Sequence, residues 1–249
     1  MSELINKAKE NVPKVYESGR KIGHDEGMNK AVDVQEEFLE SQPQTHYDTF
    51  WDNYQENGTR TDYQYAFCRK GWNNETFKPK YPIVAKGTAA YIFDACGLTD
   101  FDFVEKGIEL DTSGASSLTY LFRGAGGIKR VGIINGTGCK DLNRLFYYMT
   151  SLEAIDNLVI NENVGFDNTF IGSENLVNIT ISGVIGKNGF SITSKVLSKT
   201  SIESIINALS TTTTGLTITL SAEAVANAFT EAEWEALEAT KPNWTISLI

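Results

Sequence analysis

Four stretches decide the fold: FDACGLTDFDF (Phe93–Phe103), FRGAGGIKRVGI (Phe122–Ile133), FYYMTSLEAIDNLVI (Phe146–Ile160) and FIGSENLVNITI (Phe170–Ile181). Each opens on Phe, places a small or sulfur-bearing residue three positions on, continues through two larger apolar positions and closes on an apolar residue. Phe170, Ser173, Leu176, Ile179 and Ile181 hold these places, as do Phe122, Ala125, Ile128, Val131 and Ile133. Phe146, Met149, Leu152 and Ile155 follow, with Leu158 and Ile160 after a slip of one residue. Phe93, Cys96, Leu98, Phe101 and Phe103 fit with one residue deleted. The Phe-to-Phe spacings are 29, 24 and 24. A period in this range belongs to solenoids, whose units bury their apolar faces only against their neighbours. The alternations Val131-x-Ile133 and Ile179-x-Ile181 predict a strand at the end of each unit. The bulkier segment before it turns the corner.

These residues resemble the Phe-x-x-Cys-x-x-Leu-x-x-Val-x-Ile core of the bacterial surface-antigen (BspA-like) leucine-rich repeats, over residues 83–185. Only Cys96 keeps the Cys, and the proline that usually follows the strand is absent. The resemblance implies an α/β solenoid with a short ladder of parallel strands.

The chain has 249 residues, a net charge of −10 and a pI near 4.8. That balance argues against nucleic acid, since phosphate binding needs clustered Lys and Arg. No 18-residue apolar run suggests a membrane span. The start, MSELINKAKENV, lacks the basic and apolar blocks of a secretory signal, so export by that route is not expected. Cys68, Cys96 and Cys139 are too few and too scattered for a disulfide framework or a zinc site, and each reads as a small buried hydrophobe.

Three regions follow: a helical arm (1–42), an aromatic-rich cap (43–82) and the repeats with larger C-terminal units (83–249). In the arm, Ile5, Ala8, Val12, Val15, Gly19 and Ile22 form a heptad-like seam. Pro13 interrupts it, so a fresh helix begins near Asn11. Gly19, Gly23 and Gly27 share a face, and close approach of another helix would offset their cost of about 1 kcal/mol each. The arm is either an oligomerising device, with a trimer favoured, or loose. In the cap, Tyr47, Phe50, Trp51 and Tyr54 form one helix face, and 10 of the 27 aromatics lie within residues 47–81. They either seal the first edge of the solenoid or form a platform for sugars or a partner.

The cap segment, from Tyr47-Asp48-Thr49-Phe50-Trp51 through Gly71-Trp72 to Pro79-Lys80-Tyr81-Pro82-Ile83, resembles proteins of the prophage and gut-phage leucine-rich group. So do Val12-Pro13-Lys14-Val15-Tyr16-Glu17-Ser18-Gly19 and the C-terminal Trp244-Thr245-Ile246-Ser247-Leu248. That resemblance implies a virion or tail-associated protein without enzymatic activity.

Beyond the repeats, Thr200 with Glu203 and Thr230 with Glu233 read as capping boxes. Ile202, Ile205, Ile206 and Leu209 share a helix face, which the Thr211–Thr214 run and Gly215 end. Leu216, Ile218 and Leu220 alternate as a strand, Ala222–Ala228 is a short helical turn, Trp234 and Leu237 face inward from a helix that Pro242 stops, and Trp244, Ile246 and Leu248 form a last strand. These units are expected to extend the ladder.

Chemistry is thinly represented. His24 and His46 both fall in the N-terminal part, so nothing places a base beside a nucleophile. Asp100, Asp102, Glu105, Glu109 and Asp111 could supply a glycoside-hydrolase pair, but Asp100 and Asp102 alternate with Phe101 and Phe103 as a solvated strand face would. Asn161, Glu162, Asn163, Asp167 and Asn168 lack the Asp-x-Asp-x-Asp-Gly calcium loop and read as turn residues. Gly124, Gly126 and Gly127 lack phosphate-loop spacing. No catalytic residue, metal or cofactor is expected.

The expectation is a non-enzymatic phage or prophage structural protein of the tail or fibre. Its contact face is the outward strand positions Asp100, Asp102, Lys129, Arg130, Asn178, Thr180 and Ser182. The partners would be a protein or surface-glycan receptor on a bacterial host and other virion proteins. The alternatives are a bacterial surface or secreted adhesion repeat and a glycan depolymerase.

Overall fold

The computed structural model describes residues 67–68, 72–79 and 82–249, all within the unit Trp51–Ile249. The seam Ile5, Ala8, Val12, Val15, Gly19 and Ile22, the helix face at residues 47–54 and both histidines lie outside the described residues.

The described chain is α/β. Its strands are β1 (Ile83–Thr88), β2 (Phe101–Asp102), β3 (Leu110–Ser117), β4 (Ile128–Asn135), β5 (Ala154–Val159), β6 (Asn178–Ser182), β7 (Ser191–Ile192), β8 (Leu216–Leu220) and β9 (Trp244–Leu248). Its helices are α1 (Lys199–Ala208), α2 (Ala222–Ala228) and α3 (Glu231–Glu238). Every strand pairing is parallel, in sheets ordered β1-β3, β2-β4-β5-β6 and β7-β8-β9. Sequence periodicity did not announce β1 and β3. Their buried positions are sparse, and β3 buries only Thr112 and Ala115.

The four repeat phenylalanines form one column. Phe93, Phe122, Phe146 and Phe170 are buried, with successive centroids 5.1, 5.9 and 5.5 Å apart and planes within 7°, 9° and 20°. Burying each ring is worth about 1.5–3 kcal/mol, and each aromatic pair adds about 1 kcal/mol. Phe190 covers the far end at 5.6 Å from Phe170. At the near end Phe67 stacks on Phe93 at 5.4 Å, while Phe77 meets Phe93 edge-on at 5.7 Å. Phe67, Trp72 and Phe77, described members of the aromatic block, are thus buried over the first repeat.

Overlapping turns surround each Phe. The residues two before and two after it are left-handed: Tyr91 and Ala95, Tyr120 and Gly124, Arg144 and Tyr148, Asn168 and Gly172. For residues other than Gly this costs about 1–2 kcal/mol each. Hydrogen bonds between repeats offset it. The N–H groups of Tyr91, Phe93 and Ala95 donate to Thr119, Leu121 and Arg123 oxygens at 3.3, 2.8 and 2.7 Å, and the same threefold pattern recurs at the next two seams. Glycine is required at position 127, where a Cβ would stand 2.0 Å from the Leu98 carbonyl oxygen. Close approach of two repeats accounts for that residue.

The strand side departs from simple alternation. Ile133 is 60% exposed, while Ile134 is fully buried. Val131 pairs with Ile155, and Ile134 with Leu158, so the middle repeats bury every third residue. The slip read at Leu158 is therefore shared by the preceding repeat. Phe101-x-Phe103 and Ile179-x-Ile181, in the outer repeats, do alternate inward, and the register shifts between β5 and β6 to accommodate the latter.

The C-terminal units do not extend this ladder. Helix α1 lies against the outer edge of β6, where Ser201 and Ser204 hydroxyls accept from the Ile179 and Ile181 N–H groups, both at 2.9 Å. An uncovered strand edge invites further pairing. Here serine hydroxyls close it, and β7-β8-β9 form a separate sheet. The α1 N-cap is Ser198, whose side chain accepts from Ser201 N–H, so the expected Thr200–Glu203 box does not form. The helix stops at Ala208, before Thr211–Gly215, and Lys241 Nζ donates to the Asn207 and Leu209 oxygens at its end, at 3.1 and 2.6 Å. Burial lowers the Lys241 pKa. The Thr230–Glu233 box does form at α3. Trp234 and Leu237, however, are half-buried, because α3 buries no residue and Trp234 leans on Phe229 at 5.8 Å.

Candidate functional site

The outward face of the β2-β4-β5-β6 sheet carries the polar side chains. In the ladder Asp102 stands beside Arg130, Arg130 beside Ala154, and Ala154 beside Asn178. Between β4 and α1 this face sinks into a groove of about 420 Å³, lined by Arg130, Asp156, Asn178, Thr180, Thr200 and neighbouring residues. Its floor is the outer surface of β5 and β6. Its wall is the first turn of α1, which lies there because its serines close the β6 edge.

Arg130 Nε donates to Asp156 Oδ1 at 2.7 Å, and this bond raises the Arg130 pKa. Its terminal nitrogens make no hydrogen bond among the described residues. Asn178 Oδ1 accepts from Ser198 Oγ at 3.1 Å, which leaves its amide nitrogen available. The Thr180 hydroxyl is likewise uncommitted. The groove therefore presents a guanidinium edge, an amide donor, a hydroxyl and the second oxygen of Asp156. This set suits a hydroxyl-rich or polar peptide surface.

Of the seven residues read from sequence as a contact face, the structure gathers Arg130, Asn178 and Thr180 in the groove. Asp100 and Lys129 form an ion pair beside it, which raises the Lys129 pKa. Asp102 Oδ1 accepts from its own chain, at Val104 N–H (2.8 Å) and Glu105 N–H (2.9 Å). Ser182 lies at the far end of β6, outside the groove. Sequence reasoning missed Asp156 and Thr200. The repeat alignment held a signal for Asp156, which follows Ile155 as Thr180 follows Ile179. Nothing in the sequence placed Thr200.

The turn side carries a second polar cluster. Tyr91 and Tyr120 stack at 4.8 Å and 11°. Arg123 grips the buried Asp94 with two bonds of 2.6 and 2.7 Å, its guanidinium carbon 5.3 and 4.9 Å from the two ring centroids. Arg144 donates to the Tyr120 hydroxyl at 2.6 Å. The bond to Asp94 raises the Arg123 pKa, and burial raises that of Tyr91. These groups bond one repeat to the next and are committed to structure.

Burial pushes the thiols of Cys96 and Cys139 up to about 12 and about 11, so neither is a ready nucleophile. Cys68, read as buried, is half-buried. Asn161 is a loop residue, donating to the Thr137 and Cys139 oxygens at 3.0 Å and accepting from Asn163 N–H. Among the described residues no cluster of His, Cys, Asp and Glu could hold a metal ion, and no helix is long and apolar enough to cross a membrane. Comparisons with protein-family models, characterised proteins and solved structures return no match.

Proposed function

We propose that this chain is a short leucine-rich-repeat solenoid of the phage-virion type, a non-enzymatic tail or fibre component that contacts a host receptor or another protein through its strand face. The observation that carries the reading is the groove. Arg130, Asn178 and Thr180 come from two strands 48 residues apart in chain order and still present uncommitted donors to one cavity. The stacked Phe column and the parallel strand order support the solenoid, and the virion assignment rests on the sequence resemblance. The engagement of Asp100 with Lys129, and of Asp102 with its own backbone, supports binding over glycoside hydrolysis, which needs one carboxyl free to donate and another free to attack or activate water.

The test is adsorption of the purified full chain to host cells, compared with the triple variant Arg130→Ala, Asn178→Ala, Thr180→Ala. Losing several interfacial bonds should weaken adsorption by about tenfold or more. Unchanged adsorption by a variant with native circular dichroism would overturn the contact face.

A further inference from the structure

We infer that Asn188 is a site of spontaneous deamidation, and that the fold shields the other described Asn-Gly pair, Asn135-Gly136, from the same reaction. In this chemistry the backbone nitrogen of the following residue attacks the side-chain amide carbon. A new C–N bond closes a succinimide ring, the original amide C–N bond breaks, and ammonia leaves with the proton that the attacking nitrogen gives up. Water then opens the ring at either carbonyl, giving aspartate or isoaspartate. One water is consumed, one ammonia is released, and nothing is oxidised or reduced. Glycine favours the attack because no Cβ crowds its nitrogen or restricts its backbone.

The dipeptide is the same at both sites, but its surroundings differ. Asn135 is the last residue of β4, and Gly136 N–H donates to the Val159 oxygen at 2.8 Å. Asn135 Oδ1 also accepts from Thr137, at 3.0 Å from the N–H and 2.7 Å from the hydroxyl. Attack there must first break a bond between repeats and turn the amide out of its turn. Asn188 and Gly189 are both exposed and lie outside any strand or helix. Asn188 Oδ1 is held too, by Thr217 N–H at 2.7 Å, but Gly189 N–H makes no hydrogen bond among the described residues, so the difference between the sites lies in the attacking nitrogen, which is free here. The third pair, Asn57-Gly58, lies outside the described residues.

The reaction has a structural consequence. Asn188 Oδ1 accepts from Thr217 N–H at 2.7 Å, which ties this loop to the second residue of β8. Isoaspartate routes the main chain through the side-chain carbons and displaces that acceptor. It also adds a carboxylate near Asp167, whose Oδ1 lies 3.2 Å from where a Cβ on Gly189 would stand. Conversion therefore marks the age of a molecule and loosens the start of β8.

The experiment incubates the full chain at mildly alkaline pH and maps both peptides by mass spectrometry, in buffer and in denaturant. In buffer Asn188 should convert about tenfold faster than Asn135, the factor expected from holding the attacking N–H in one hydrogen bond. In denaturant the two rates should converge. Equal rates in buffer, no conversion at Asn188, or a difference that persists in denaturant would each overturn the proposal. Hydrogen exchange gives an independent readout, taken as the change between fresh and aged protein: wild type should lose protection at Thr217 on ageing, whereas Asn188→Gln should be unchanged by it. Equal loss in both would refute the link to β8.

Discussion

The repeat body and the last helix, α3, reach stability by opposite routes. In the body a single residue type recurs at a fixed place, and its energy comes from the next repeat through ring stacking and backbone bonds across the seam. In the C-terminal region each helix carries its own cap, and α3 buries no residue at all. The body is held by what lies beside each residue in space, and α1 shares that support by burying Ile202, Ile205 and Ile206, whereas α3 rests on its cap, three positions away in sequence. Damage should therefore spread along the stack in the first region and stay local in the second.

The largest expected effect tests this directly. Phe146→Ala removes a fully buried ring that touches Phe122 and Phe170, and should cost about 3–5 kcal/mol in urea unfolding. Trp234→Ala, at a half-buried position on α3, should cost less than about 1 kcal/mol. Similar losses for the two would erase the distinction. A middle-sized effect sits at the junction. Ser198→Ala removes the α1 cap and should cost about 1 kcal/mol, with faster hydrogen exchange confined to the first turn of α1. Accelerated exchange throughout β4 and β5 would instead show that the cap serves the body.

The smallest effect concerns Glu233. The bond from Lys199 at 2.8 Å, and then those from Thr230, hold its carboxyl down to about 2 against an ordinary 4.5. A depressed carboxylate contributes its stability in full above the ordinary value and loses it as the pH falls through the depressed one. The α3 start should therefore fray between about pH 4.5 and 2. A carboxyl titration by NMR should place Glu233 near the lower figure, and Lys199→Ala should move it up. An unmoved midpoint would assign the shift to Thr230 alone.

Sequence made the Phe column legible, because a large apolar residue at a constant period has one physical meaning. It made the Thr230–Glu233 cap legible for the same kind of reason: hydroxyl and carboxylate at a fixed spacing. The left-handed positions were hidden. Tyr91, Ala95, Tyr120, Arg144 and Tyr148 stand where glycine would be read, and only bonds from the next repeat make those conformations tolerable. The outward turn of Ile133 was hidden too, since two adjacent isoleucines give no indication of which one points inward. The groove was half legible. Strand outward positions follow from the repeat, but its helical wall depends on the serines that bring α1 to the edge of β6.

The bonds between the overlapping turns have a directional consequence. At the three Phe seams, three N–H groups of each overlapping turn face the following repeat and donate to carbonyls that face the preceding one. In an ordinary strand successive peptide units alternate, and their dipoles nearly cancel. Here every second unit of the turns points the same way along the stack, while the units between bond within their own turn, so the dipoles of the aligned units add. The turn side is electrically polarised along the stack, positive at the N–H groups of Asn168, Phe170 and Gly172 and negative at the carbonyls of Ala90 and Asp94, that of Ile92 being taken by Phe67 N–H at 2.8 Å. On a chain of net charge −10, the two ends of the same repeated motif thus differ in the sign of charge they welcome.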